Sequence, residues 1–325
     1  MEFKQSEQIL EGIILDIKAR YGIQVNDVKE LDGGYANLKW KVGTDDGELF
    51  IKQFDRSRYP AELMPGLEVA MGLQHTLQER GIPCPRLFPR DDRYIQYTSA
   101  GERYVITEYC QGNVLQPGAA SAAQMGDLGA AIGRMHLLFA QHAPSGLPLH
   151  WRPATKAAAL DKWSQNWEEA RRLGAEKYLS ALETQRAILD HFDPVVFESC
   201  EEGWVHWDLF MDNLLFHDKS LSAILDFDRL NYIYPEFDLS RPLLSGSIGN
   251  QQLNVKTAQA FMAGYRESVP VSGAKLARAI KLTWWKEAAW FNVYSDNFTT
   301  LSRFVDELIW INNHWAQLED IFDEL

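Results

Sequence analysis

Positive charge is in short supply. The 325-residue chain carries 32 Lys and Arg against 45 Asp and Glu, a formal net charge of −13. No basic stripe is left to neutralise a phosphate backbone, so nucleic acid is not the expected partner. A neutral or cationic small molecule suits an acidic surface better, although the same charge also serves solubility. Cysteine is equally sparse. Cys84, Cys110 and Cys200 are odd in number and lack CxxC spacing, which argues against a disulfide framework or a zinc site and for thiols kept reduced. Long apolar runs are missing as well: no stretch approaches the roughly 18 apolar residues of a membrane helix. Met1 to Gln8 holds charges and no apolar core of a signal sequence. A cytoplasmic protein is expected.

What is present is enough hydrophobic residue, 46% of the chain, for more than one core, and two lobes follow from the length. Ile9, Leu10, Ile13, Ile14 and Ile17 recur at helical spacing, with Gly22 placed to end that helix. Short β-type runs follow at 25–31, 38–42 and 48–54, with Asp45-Asp46-Gly47 as turn chemistry between the last two. A helix over 66–80 is ended by Gly81 and Pro83, and strands are expected at 93–98 and 102–109. Beyond residue 113 the periodicity is helical over 124–139, 154–172, 177–191 and the last third. One island of short strands, 204–237, interrupts it. The expected division is an N-terminal lobe of residues 1–110 and a C-terminal lobe of residues 111–325. No internal repeat is visible, and the Ala-rich patch at 119–123 is the longest biased segment.

The chemistry is carried by Val205-His206-Trp207-Asp208-Leu209-Phe210-Met211-Asp212-Asn213 and, a short turn later, Ile224-Leu225-Asp226-Phe227-Asp228. Phosphoryl transfer needs a carboxylate to take the attacking hydroxyl's proton and oxygen ligands for the magnesium that bridges nucleotide phosphates. The spacing from Asp208 to Asn213 is that of the protein-kinase pattern H-R-D-x-x-x-x-N, and Asp226 stands where a second strand would deliver a metal ligand. Asp208 is therefore the candidate base, and Asn213 and Asp226 are the candidate Mg²⁺ ligands. Lys52, the one lysine in the apolar strand Leu49 to Phe54, is the candidate for the phosphates of ATP or GTP.

These motifs resemble the aminoglycoside phosphotransferase and choline kinase superfamily, whose loop usually reads His-Gly-Asp-x-x-x-x-Asn, followed by Ile-Asp-Phe-Asp/Glu. The resemblance, from about Leu31 to about Leu244, implies an α+β, protein-kinase-like bilobal fold with an antiparallel-sheet N-lobe and a mainly helical C-lobe. It implies an enzyme moving the γ-phosphoryl group of ATP or GTP to a small-molecule hydroxyl. It makes His206 a loop-stabilising residue, Asp238 a structural acid, and Glu68 the partner of Lys52, with Glu62 as the alternative. Gly33 and Gly34 fall where such enzymes fold a loop over the phosphates, and the segment holding Glu108 and Cys110 resembles the hinge that reads adenine through main-chain groups. One position departs from the pattern. Trp207 stands where the family usually has Gly.

Several bland readings compete. Asp228 could contact a second metal or simply cap the turn, and the turn is favoured; His136 reads as a core or loop-bracing histidine, and most of the eleven tryptophans as core. Trp163, Trp167, Trp284, Trp285 and Trp290 beside Glu169, Glu287 or Asp306 would instead suit an amine or quaternary ammonium acceptor. Aminoglycosides, choline or ethanolamine, homoserine and methylthioribose-type sugars all remain open as acceptors. An idle, spore-coat-type protein on the same fold is the rival reading, supported by Trp207. A metal-dependent hydrolase using Asp208, Asp226 and Asp228 leaves Lys52 unexplained.

Overall fold

Isoleucines one turn apart open the chain: Ile13 and Ile17 are fully buried on α1 (Glu2–Tyr21), which gives way to Gly22 at φ 69°. The computed structural model describes residues 2–31, 37–291 and 302–323. The two isoleucines pack on Trp40, Val42, Leu49, Ile51, Tyr104 and Ile106, which alternate along β2 (Lys39–Thr44), β3 (Gly47–Gln53) and β5 (Arg103–Glu108). With β1 (Val25–Glu30) and β4 (Gln96–Tyr97) these make an antiparallel sheet in the order β1-β2-β3-β5-β4. A strand's side chains alternate between faces, so burying Ile51 and Trp40 against α1 sends Lys52 and Lys39 to the other face. Helix α2 (Met64–Glu79) connects β3 to the last two strands. The strand expected at 93–98 shrinks to two residues because Asp91 and Asp92, both at positive φ, fold 90–93 into a tight turn.

Two compact units emerge, Met1–Gly112 with Ser222–Arg229, and Asn113–Leu221 with Leu230–Leu325. In the first, the 222–229 segment is tied back by the Ile224 N–H, which donates to the Pro83 carbonyl at 2.8 Å, and by Ser222 Oγ on the Gln111 carbonyl. The second is mostly helical: α3 (Ala122–His142), α4 (Lys156–Leu173), α5 (Glu176–His191), α6 (Glu236–Ser247), α7 (Val255–Arg266), α8 (Gly273–Glu287) and α9 (Ser302–His314). Short strands β6 (Gly203–Val205) and β9 (Asn231–Ile233) pair antiparallel, and β7 (Leu214–Phe216) precedes the return to the first unit through β8 (Leu221–Ile224). Ser121 caps α3 through a reciprocal pair with Gln124. Helix α3 then runs so close to α7 that a Cβ on Gly129 would stand 2.0 Å from the Phe261 carbonyl oxygen. That approach brings His136 on α3 to Tyr265 on α7, with Nδ1 and Oη 2.7 Å apart. Among the described residues no helix is long and apolar enough to cross a membrane.

Candidate active site

In the first unit the register sets Lys39 directly opposite Lys52 on neighbouring strands. Like charges in that position repel, and the pair needs anions close by. One turn supplies them. Asp226 Oδ1 accepts from Lys52 Nζ at 2.6 Å, Asp228 Oδ2 forms a second ion pair with the same ammonium, and Asp226 Oδ2 lies 3.9 Å from Lys39 Nζ. Tyr59 Oη donates to Asp228 Oδ2 at 2.8 Å. Burial alone would favour neutral Lys52, but Asp228 and then Asp226 outweigh it and hold the ammonium above lysine's ordinary range. Lys39 moves the other way, lowered by burial and then by the Lys52 charge. Burial raises Asp228 against the pull of Lys52, with Asp226 adding to the rise. Burial and Asp228 together raise Tyr59, which stays a donor at neutral pH.

Other sequence candidates in this unit fall differently. Glu68 is not the partner of Lys52 in this structure: its two carboxylate oxygens accept the main-chain N–H groups of Tyr94 and Ile95 at 2.6 and 3.2 Å. It holds the 94–95 segment to α2, and Glu62 lies exposed before that helix. Asp228 occupies the role assigned to Glu68, so the reading of Asp228 as a turn residue understates it. Glu108 ends β5, with its N–H on the Arg86 carbonyl at 2.9 Å. Cys110, half-buried two residues on, has its thiol pushed up to about 11 by burial and then by Glu108. Gly33 and Gly34 lie outside the described residues.

In the second unit the segment carrying the candidate base hangs from one carboxylate. Asp238, 1% exposed in the first turn of α6, accepts the main-chain N–H groups of His206 at 2.5 Å and Trp207 at 2.9 Å. His136 Nε2 lies 3.4 Å from the same carboxylate. A proton on Nε2, with Nδ1 accepting from Tyr265, satisfies both contacts. Fully buried His206 accepts the Asp208 N–H on Nδ1 at 3.3 Å. Asn213 Nδ2 donates to the Asp208 carbonyl at 2.8 Å and to its carboxylate at 3.0 Å, so Oδ1 is the atom Asn213 can offer a cation. The structure thus brings Asp208 together with Asn213, and Lys52 together with Asp226. His206, His136 and Asp238 brace the loop, as read from the sequence.

Trp207 has φ 64°, in the left-handed region that glycine enters without strain. A residue with a Cβ there gives up about 1–2 kcal/mol, which the hydrogen bond to Asp238 and the packing of the indole help offset. The ring meets His150 edge-on at 5.5 Å and Lys286 Nζ at 4.9 Å. Trp207 therefore keeps the backbone turn that the usual glycine would make.

The pocket of rings and carboxylates expected for a cationic acceptor is not what its residues build. Trp284 and Trp285 are core, and Trp163 stacks on Trp167. Glu287 is buried on Arg241 at 2.5 Å, Glu169 pairs with Arg172, and Asp306 accepts from Gln251 at 3.0 Å. A cavity of about 390 Å³ in the second unit is lined by Thr184, His191, Phe192, Asn312 and Trp315, none of them a site residue. Chemistry rather than concavity locates the site.

Sequence reasoning missed Tyr59 and Lys39, and weighed Asp228 only as a second-metal contact or a turn cap. Asp228 was signalled by a second acid two residues after Asp226, and Lys39 by a strand lysine in register with Lys52.

Comparison with known proteins bears on this arrangement. The model of the phosphotransferase enzyme family matches residues 27–271. Homoserine kinase of Rhodospirillum rubrum is 28% identical over 254 residues, 77% of this chain and 74% of that one. Among solved structures, a microcompartment-associated aminopropanol kinase aligns with TM-score 0.62 at 14% identity, covering 95% of this chain and 98% of its own. An amicoumacin kinase in complex with AMP-PNP, Ca²⁺ and Ami aligns with TM-score 0.59 at 17% identity, covering 98% of this chain and 95% of its own. The fold is that of these kinase-like phosphotransferases.

Proposed function

The chain belongs to the phosphotransferase enzyme family and is a small-molecule phosphotransferase, and from that premise we propose how its residues divide the work. Asp208 takes the proton of an acceptor hydroxyl as the oxygen attacks the γ-phosphorus of a nucleoside triphosphate. The new P–O bond forms as the bond to the β–γ bridging oxygen breaks, and the nucleoside diphosphate leaves with that electron pair. The observation that carries this reading is the Asn213 amide held on Asp208 at 2.8 and 3.0 Å, which fixes the carboxylate in a loop hung from Asp238. Lys52 is the phosphate-binding cation, with Lys39 beside it as a second.

The donor atoms that Asp226 and Asp228 offer in the first unit, and that Asn213 offers in the second, are oxygens, a chemistry that suits a hard divalent ion such as Mg²⁺. Bound, the ion would neutralise charge building on the phosphate oxygens. Among the described residues no three His, Cys, Asp or Glu side chains gather into a metal-binding group. Asp226 and Asp228, which pair with Lys52 in this structure, would be the acids of the first unit that hold such an ion. Likeness to homoserine and aminopropanol kinases supports a small hydroxyl compound as acceptor, and a cytoplasmic location remains part of the proposal.

The test is thermal shift with Mg-ATP and Mg-GTP on wild type and Asp226→Ala, followed by diphosphate release over an acceptor panel. A nucleotide-dependent rise in Tm that the variant loses, with turnover on one acceptor, is the expected result. No shift with either nucleotide at millimolar concentration would overturn it.

A further inference from the structure

In protein kinases the lysine of the third strand pairs with a glutamate on the following helix, and the position of that helix controls whether the pair forms. Among the described residues, α2 and the turn before it give Lys52 no such acid. Glu68 holds the N–H groups of Tyr94 and Ile95, Glu79 faces His75 at 3.5 Å, and Glu62 is exposed. Lys52 pairs with Asp226 and Asp228 instead. Asp228 is the more enclosed of the two, its side chain 5% exposed against 25% for Asp226.

Tyr59 meets Asp228 at the atom that matters. Its hydroxyl donates at 2.8 Å to Oδ2, the same oxygen that pairs with Lys52 Nζ. Its ring lies edge-on to Phe54 at 5.3 Å between centres, and Lys52 Nζ lies 5.7 Å from the Phe54 ring. Phe54, two residues on from Lys52, keeps to the same face of the sheet. The four side chains therefore close a circuit from Lys52 through Asp228, Tyr59 and Phe54 back to Lys52. The chain that brings Tyr59 there is itself tied down directly after β3. The Tyr59 N–H donates to the Asp55 carbonyl at 2.9 Å, and the Asp55 carboxylate accepts the Ser57 N–H at 2.8 Å. All of these residues belong to the first unit.

A carboxylate oxygen that accepts from a hydroxyl has its direction set by that hydroxyl, and it offers the ammonium one defined place. Without the hydroxyl the carboxylate is free to swing, and the ammonium follows it. We propose that Tyr59 is a positioning residue for Lys52, acting through Asp228, and that this pairing stands in for the helix-borne glutamate. The lysine is then placed by the sheet and the turn after it, and a displacement of α2 does not switch it. The proposal rests on the phosphotransferase reading above for what Lys52 binds, and adds how that lysine is held.

The experiment compares Tyr59→Phe, which removes only the hydroxyl, with Glu68→Ala, and crosses Tyr59→Phe with Lys52→Met. Dissociation constants for Mg-ATP and Mg-GTP come from calorimetric titration, and steady-state kinetics follow. Tyr59→Phe should weaken nucleotide binding by about tenfold, the lower end for a hydrogen bond to a charged group. The acceptor KM should stay within about threefold. In the Lys52→Met background the same substitution should change nucleotide affinity by less than about twofold, because the residue through which Tyr59 acts is gone. Glu68→Ala should lower Tm and leave nucleotide affinity within about threefold.

A hydroxyl that only braces the fold would weaken nucleotide binding by the same factor with and without Lys52, which overturns the proposal. So would a loss in Glu68→Ala as large as that in Tyr59→Phe. Acetylation by acetic anhydride, mapped by mass spectrometry on the nucleotide-free protein, reads the lysine independently of any activity. Lys52 should react about tenfold faster in Tyr59→Phe than in wild type, and at the wild-type rate in Glu68→Ala. If wild type binds neither nucleotide, that result removes the phosphotransferase reading and keeps the anchor. An unchanged rate in Tyr59→Phe overturns the anchor whether or not nucleotide binds.

Discussion

In the first unit charged side chains hold one another: Lys52 sits between Asp226 and Asp228, Lys39 stands at the edge, and Tyr59 closes the far side. In the second, a single carboxylate, Asp238, holds main chain, gathering the N–H groups of His206 and Trp207 so that the loop carrying Asp208 has its shape fixed. Side-chain ion pairs can be traded for other ions, one partner at a time. Main-chain hydrogen bonds to a buried acid cannot be replaced by a ligand. The same residue type therefore does two jobs, exchangeable in one unit and permanent in the other.

The permanent job gives the largest expected effect. Asp238→Ala orphans two main-chain donors and removes the His136 contact. Each buried unsatisfied donor costs about 1–3 kcal/mol, so thermal unfolding should show a fall in stability of about 3 kcal/mol. Phosphoryl transfer should drop by about 100-fold or more as the base loses its position. An unchanged Tm would mean that the loop is held by something else.

The exchangeable job is tested by Lys52→Met, which leaves two acids and a lysine. Nucleotide affinity, read by titration, should fall about 100-fold. Millimolar Mg²⁺ should stabilise this variant more than it does wild type, because the ion fills the place of the lost ammonium. Equal stabilisation of the two would erase the contrast between the units.

Trp207→Gly sharpens the comparison from the side of the permanent loop. Relief of left-handed strain and loss of the indole's packing oppose each other, and the net change in stability should be within about 1 kcal/mol. Its transfer rate should stay within about threefold if Asp238, rather than the residue at 207, sets the turn. A larger loss would show that the ring itself holds the base.

Cys110 gives the smallest effect. Raising its pKa from 9.0 to about 11 lowers the thiolate present at pH 8 from roughly one part in ten to one in a thousand. Alkylation should therefore be slow at pH 8, climb about tenfold per pH unit towards pH 11, and slow further with nucleotide bound if the 108–112 segment reads the base. An alkylation rate already level near pH 9 would place the thiol outside this environment.

Much of this was legible in the sequence because it is local. A lysine alone in an apolar strand, Asp208 five residues before Asn213, Asp226 after an apolar pair and Ile13 one turn from Ile17 are all signals carried within a few neighbours. What was hidden depends on distant partners. Glu68 lies at a suitable place on a helix for a lysine partner, but the main-chain donors of Tyr94 and Ile95 reach it first. Asp228 looked like a turn residue because nothing nearby shows that Tyr59 and Lys52 fold onto it. Lys39 is one of two lysines in Lys39-Trp40-Lys41, and only the β2–β3 register reveals that it faces Lys52. Trp207 broke a family pattern in its letter while keeping the pattern's left-handed backbone, which no residue name displays.

The most direct test of the account is ³¹P NMR of wild type and Asp208→Asn with Mg-ATP and the acceptor panel. A phosphomonoester resonance should grow with that of ADP in wild type and fall by about 100-fold or more in rate in the variant, with the same fold and nucleotide affinity in both. ADP and inorganic phosphate with no phosphomonoester, or an undiminished rate in Asp208→Asn, would contradict it.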